Sequence, residues 1–131
     1  MNKNEKFETG LKIRREVMSD AFVDKALNKA SEFTMPMQEL ATANAWGEVW
    51  ARGELTRQTR SLITIATLAA LKASNELKGH VRGALRNGCT VQEIQEVLLH
   101  SAVYCGMPSG LEAFRAADEV IEAWQLEQGK D

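Results

Sequence analysis

Apolar residues recur along this chain at the three-to-four-residue period of a helix, and no segment alternates convincingly at the two-residue period of a half-buried strand. The pattern restricts the fold class to all-α, a compact helical bundle of about six to seven helices. The longest apolar-rich run, Leu62–Leu71, is ten residues long and contains two threonines. A membrane span needs roughly 20 apolar residues, so the run predicts a buried helix and no membrane partner.

Capping signals divide the chain. A first helix is predicted over about Glu5–Met18, with Phe7, Leu11 and Val17 available for one face. Ser19 or Asp20 can cap a second, running to about Ser31. Thr34 and Pro36 open a third, which passes through Leu40, Trp46 and Val49 and ends at Gly53. Thr56 can cap a fourth over Arg57–Lys72, whose interior SLITIATLAAL is apolar on nearly every side, as in the central helix of a core. Asn75 starts a short fifth helix that stops at the Asn87-Gly88 pair. Thr90 and Glu93 form a capping box for a sixth, which runs to Gly106. Pro108 and Ser109, with Glu112, open a terminal helix to about Gln128. Loops are short and no repeat appears at roughly 20–50 residues, so residues 1–131 read as a single domain.

Composition removes several function classes. The chain has 16 Lys+Arg against 18 Asp+Glu, a net charge of -2, with no basic cluster, which argues against nucleic acid as a partner. Two cysteines do not make a disulfide framework, and a cytoplasmic location is the simplest expectation. The N-terminus, MNKNEKFETGLKIRREVMSD, is charged and lacks the apolar stretch of a signal peptide.

The sixth helix is apolar on more than one side. Val91, Ile94, Leu98, Ala102 and Cys105 form a stripe expected to face the core, flanked by Leu99 and Val103 on one side and Val97 and Tyr104 on the other. His100 points almost opposite. A chain of this size has limited means to cover such a helix, so a subunit interface is expected.

Chemistry-bearing residues gather in Asn75–Gly110, which holds both histidines, His80 and His100, and both cysteines, Cys89 and Cys105. Glu76 lies four residues before His80, where a helix lets the carboxylate reach one imidazole nitrogen and raise its basicity, a general acid/base arrangement. The plainer alternative is an exposed helix pair worth a few tenths of a kcal/mol. Gly79 and Gly83 on neighbouring turns suggest close approach by another backbone or a ligand. A metal site from His80, His100, Glu76 and Glu96 is conceivable, but the helical wheel gives the two histidines no reason to converge, so no metal is expected. There is no Cys-x-x-Cys, and Cys105, on the core stripe, reads as a small buried hydrophobe. Arg57 and Arg60, with Arg52 upstream, are candidate clamps for an acidic substrate, although an ordinary helix start is the plainer reading of any single one. Trp46 and Trp50 read as core, with Glu48 between them as a possible second carboxylate.

The stretch GEVWARGELTRQTRSLITIATLAAL, followed by ELKGHVRGALRNGCTVQEIQEVLLHSAVYCGMPSGLEAF, resembles the carboxymuconolactone decarboxylase family over about Pro36–Ala117. Its specificity lies in the combination of ELxxHVxGALxNG with EIxEVLLHxxxYxGxP. The resemblance implies an alkylhydroperoxidase-like fold assembled as a homotrimer or homohexamer. It implies a carboxy-lyase that converts 4-carboxymuconolactone to 3-oxoadipate enol-lactone and CO2 in aromatic catabolism. The substrate carries its own electron sink, so no cofactor is expected. On this reading His80 is the acid, oriented by Glu76, while Arg57 or Arg60 holds the acetate arm of the lactone. His100 and Tyr104 are second candidates, as oxyanion donors from a neighbouring subunit. The peroxidase branch of the superfamily has cysteines where this chain has Ala73 and Glu76, which disfavours a thiol-based antioxidant function. A non-catalytic helical oligomer that binds a small acid is the other alternative.

Overall fold

The computed structural model describes residues 2–129, which form seven α-helices and one π-helix and no strand. They fall into two compact units, Met1–Thr56 and Arg57–Asp131.

In the first unit, α1 (Lys3–Met18) begins at a capping box, Asn2 accepting from the Glu5 amide at 2.9 Å. Ser19 then caps α2 (Asp20–Lys29), its hydroxyl accepting from the Phe22 amide at 3.2 Å. α3 (Met35–Leu40) follows, and Thr34 does not cap it with its side chain. The Thr34 hydroxyl turns back instead to accept from the Ser31 amide at 2.8 Å.

The expected single third helix changes its winding at Ala41 and runs as a π-helix over Ala41–Val49. That segment buries Thr42, Ala43, Trp46 and Gly47. Here α1 and the π-helix touch backbone to backbone: a Cβ added at Gly10 would lie 1.8 Å from the Thr42 carbonyl oxygen, and one at Gly47 would lie 2.0 Å from that of Lys6. Trp46 stacks on Trp50 with ring centroids 4.6 Å apart and joins Ile13, Val17, Met18 and Val23 in a small core. Each such aliphatic side chain contributes about 1.5–3 kcal/mol on burial.

The second unit holds α4 (Arg57–Leu71), α5 (Ser74–Arg86), α6 (Val91–Cys105) and α7 (Met107–Gln128). α4 ends one residue earlier than its pattern predicts, because Lys72 adopts a left-handed conformation (φ 57°) while the Ala73 amide reaches back to the Leu68 carbonyl at 3.0 Å. α5 starts at Ser74 rather than Asn75, with the Ser74 hydroxyl donating to Glu112 of α7 at 2.7 Å. Further along, Lys78 pairs with Glu119 at 3.1 Å and Arg82 with Glu127 at 2.6 Å, the Arg82 guanidinium also lying over the Trp124 ring. Partners rising together along both helices make α5 and α7 parallel neighbours. Ile65, Leu77, Val81, Ile94, Leu98 and Ala117 meet in the core between the four helices.

Two expectations about burial are overturned. α4 is not apolar-covered all round: Ser61, Ile65 and Ala69 face inward, while Ile63 is 50% and Leu71 69% exposed. On α6 the core stripe holds at Ile94 and Leu98, but Cys105 is exposed and Cys89 is the buried thiol. α6 crosses α7 at Ala102, against which a Cβ on Gly110 would come within 2.5 Å. Beyond that crossing Cys105, with Val103 and Tyr104 beside it, is exposed.

Candidate active site

α5 is amphipathic, and its wheel fixes where each candidate points. Leu77, Val81, Ala84 and Leu85 form the buried stripe. His80, Gly83 and Asn87 follow one another at helical spacing along the flank of that stripe. Asn87 shows which neighbour the flank meets, because its side-chain amide donates to the Ser61 hydroxyl of α4 at 2.9 Å. The flank of α5 that carries His80 therefore runs along α4. Seven residues back from Asn87, His80 sits about 10 Å along the helix axis from that bond.

His80 is half-buried and Glu76 is exposed. They lie four residues apart on α5, one helical turn along the same side. The Nδ1 atom of His80 and the Nε atom of Arg60 are both shut from solvent without a hydrogen bond, although both side chains have other interactions.

Arg57 and Arg60 occupy the first turn of α4 and are both half-buried. The carbonyl of Arg60 accepts from the Thr64 hydroxyl at 2.8 Å. The helix turn that carries both arginines thus lies at the Asn87 end of the α4–α5 pair, with His80 further along α5. An arginine pair at one end and an imidazole about two turns away suit an extended ligand with a carboxylate at one end and a proton-accepting atom towards the other.

The remaining candidates belong to other elements. His100 and Tyr104 share the exposed face of α6, their rings 5.0 Å apart, and Tyr104 is 79% exposed. Glu48 belongs to the first unit, where it pairs with Lys6 at 2.8 Å. That hydrogen bond holds its carboxyl below the usual carboxylate range. Among the described residues no group of three or more His, Cys, Asp or Glu side chains is placed to hold a metal ion. No described helix is long and apolar enough to cross a membrane. A cavity of roughly 720 Å³ in the first unit is lined by Lys3, Lys6, Phe7 and Leu40 among others, and includes none of the candidate residues.

Sequence reasoning missed the Ser61–Asn87 bond. Asn87 reads in the sequence only as a helix stop, and Ser61 only as the polar start of an apolar run. The available signal was a hydroxyl inside a buried stripe, which requires a partner. Ser61 is 0% exposed and finds that partner in Asn87.

Comparison with known proteins gives the site its context. Residues 36–119 match the family model of the carboxymuconolactone decarboxylase family. The nitrosuccinic acid decarboxylase of Metarhizium robertsii is 47% identical over 115 residues, covering 88% of this chain and 80% of that protein. The 4-carboxymuconolactone decarboxylase of Acinetobacter baylyi is 39% identical over 122 residues, 93% of this chain and 91% of that protein. An archaeal protein of Methanocaldococcus jannaschii is 30% identical over 80 residues, 61% of this chain and 75% of its own length. The family match spans α3 to α7 and so includes both arginines, His80, His100 and Tyr104. The chain belongs to the carboxymuconolactone decarboxylase family, and it is a carboxy-lyase.

Proposed function

We propose that the protein removes CO2 from a succinate that bears an electron sink on the carbon losing its carboxylate, with 4-carboxymuconolactone as the substrate and 3-oxoadipate enol-lactone as the product. One observation carries this reading. Two relatives that each align with most of the chain are named for substrates that share such a skeleton. In 4-carboxymuconolactone one ring carbon holds a carboxylate and an acetate arm, together a succinate, and the ring double bond relays electrons to the lactone carbonyl. In nitrosuccinic acid the nitro group plays the same part directly.

The residue types fit what the reaction asks of a protein. Loss of CO2 leaves a dienolate on the lactone, and a proton must then reach the ring carbon next to the carbonyl. His80, the half-buried imidazole on the α4–α5 flank, delivers that proton. Arg57 and Arg60 grip the acetate arm, which turns the arm's charge into orientation of the reacting carbon. The leaving carboxylate is better housed against apolar surface, where its charge is destabilised and conversion to CO2 is favoured. Glu76, one turn before His80 on α5, orients the imidazole, and Glu48, held by Lys6, takes no part. His100 and Tyr104 act from a neighbouring subunit as oxyanion donors, within a trimer or hexamer that covers the exposed Leu99, Val103 and Met107. The chemistry calls for no cofactor, since each substrate provides its own electron sink.

A second reading, nitrosuccinic acid as the physiological substrate, is favoured by the 47% identity to the fungal enzyme. Both are tested by supplying each compound separately, with EDTA present, and following CO2 together with the enol-lactone or nitronate-derived product. Turnover of 4-carboxymuconolactone with the higher kcat/KM supports the first reading, and the reverse order supports the second. CO2 release from neither compound overturns both, and inhibition by EDTA overturns the cofactor-free mechanism.

A further inference from the structure

We propose that the turn Asn87–Cys89 is a positioning device for substrate binding, fastening the first turn of α4 so that Arg57 and Arg60 meet the acetate arm in a fixed geometry. The inference rests on the arginine clamp of the preceding section and assigns it a support that lies outside the clamp.

The anchors and the arginines interleave. Along Arg57, Gln58, Arg60 and Ser61, the two arginines alternate with two residues held from the same turn. Asn87 donates its side-chain amide to the Ser61 hydroxyl at 2.9 Å, and the Cys89 thiol donates to the Gln58 carbonyl at 3.6 Å. Ser61 is 0% and Cys89 4% exposed, so one end of each contact is shut from solvent. Burial, with Glu93 adding to it, pushes the Cys89 thiol pKa up and keeps the sulfur a donor.

The turn is itself rigidly attached to α5. The amides of Asn87, Gly88 and Cys89 donate to the carbonyls of Gly83, Leu85 and Ala84 at 2.9, 3.1 and 2.9 Å. Gly88 closes the turn in the left-handed region, at φ 94°, which a side chain would strain. α5 in turn carries His80. The result is a covalently short, hydrogen-bonded path from the imidazole's helix to the helix turn that holds both guanidinium groups.

Such a path has a physical purpose. The first turn of a helix lacks the preceding carbonyls that hold its interior, and it is prone to local opening. Arginine adds several rotatable bonds, so a loose backbone would spread the guanidinium over several ångströms. A misplacement of about 1 Å can cost on the order of 100-fold in rate. Fastening residues 58 and 61 fixes the base from which the arginines at 57 and 60 reach.

The test uses the full chain with 4-carboxymuconolactone, or nitrosuccinate where that is turned over faster, and the methyl ester of its arm carboxylate. The variants are Asn87→Ala and Ser61→Ala, the second a small change that keeps the helix propensity of α4. In either variant, KM for the dicarboxylate should rise about tenfold with kcat held within about twofold, while KM for the ester stays near wild type. The midpoint of the kcat–pH profile should not move. An unchanged KM in folded protein overturns the inference. So does an equal penalty on the ester and the dicarboxylate, which marks a merely structural role, or a fall in kcat with a moved pH midpoint. Arg57→Ala and Arg60→Ala run alongside: if both leave KM untouched, the clamp reading has failed and this inference falls with it. Turnover of neither substrate by the wild-type protein has the same consequence.

Discussion

Lys6 and Glu48 meet at 2.8 Å in an exposed ion pair that ties the start of α1 to the end of the π-helix. The pair occupies the one carboxylate of the tryptophan-rich segment that the sequence offers to the site. Glu48→Gln is therefore expected to leave kcat/KM within about twofold of wild type. The pair also makes a pH prediction. Because Lys6 lowers the folded-state pKa of Glu48, the stabilisation is present above the unfolded carboxylate pKa and is lost as pH falls through the folded value. Urea unfolding of wild type and Glu48→Gln should differ slightly at pH 7 and converge in acid, once the Glu48 carboxylate is protonated in both states. A difference that persists in acid would reject the assignment.

His80 and Glu76 are separable by kinetics. His80→Gln removes the proposed proton donor and is expected to lower kcat by about 100- to 10,000-fold, with little change in KM. Glu76 is exposed, so Glu76→Gln should cost about tenfold or less. Equal losses from both substitutions, measured by CO2 release across pH 5–9 (roughly the window in which imidazole titrates), would show that the carboxylate orients the imidazole during turnover.

For the arginines the expected signature lies in KM. Arg60→Ala should raise KM by about 10- to 100-fold, and Arg60→Lys should recover only part of that, because an ammonium cannot bind a carboxylate through two parallel bonds. Initial-rate measurements on the two variants check this. An untouched KM would remove Arg60 from the clamp.

These tests follow the boundary between what periodicity reveals and what it hides. The Asn2–Glu5 box that opens α1 was missed. Some other helix starts were legible from a local cap, as at Thr90, whose hydroxyl accepts from the Glu93 amide while the Glu93 carboxylate accepts from the Thr90 amide. The Asn87-Gly88 stop was legible for the same reason, since a left-handed glycine is a local requirement. The π-helix was not legible. It packs on α1 through Thr42 and Gly47, residues more than 30 positions from Gly10 and Lys6 by sequence count, so local periodicity carries no sign of that contact. The exposure of Cys105 was hidden likewise, because a wheel shows direction but not where the neighbouring helix ends. In the site, spacing identified Glu76–His80 as neighbours, but whether they bond depends on rotamers. Ser61–Asn87 spans two helices and needed the fold to become visible.

The α1–π-helix crossing gives a stability prediction with no functional assumption. A Cβ at Gly10 would overlap the Thr42 carbonyl oxygen at 1.8 Å, and both partners are backbone, so neither can swing aside. Gly10→Ala should therefore cost about 3 kcal/mol or more, the upper range for overpacking, despite the better helix propensity of alanine. Gly53→Ala is the control, since nothing lies within 4 Å of its added Cβ. Thermal unfolding should place Gly10→Ala far below Gly53→Ala, and equal midpoints would contradict the crossing.

The two thiols report on the exposed end of α6. Cys89 is 4% exposed with its pKa raised by burial, so it should stay inert to a thiol reagent until the protein unfolds. Cys105 is exposed in the single chain, beside Val103 and Tyr104 at 73% and 79% exposure. If that apolar face is where subunits meet, Cys105 labelling should slow as concentration rises through the range where light scattering reports association. Labelling by a disulfide reagent at several protein concentrations checks this, with a denatured sample giving the total thiol count. Rapid Cys105 labelling that is independent of concentration, in a sample that light scattering shows to be associated, would move the interface off α6. Reaction of Cys89 in native protein would contradict its place between α5 and the first turn of α4, and with it the contact to Gln58 that helps hold the arginines.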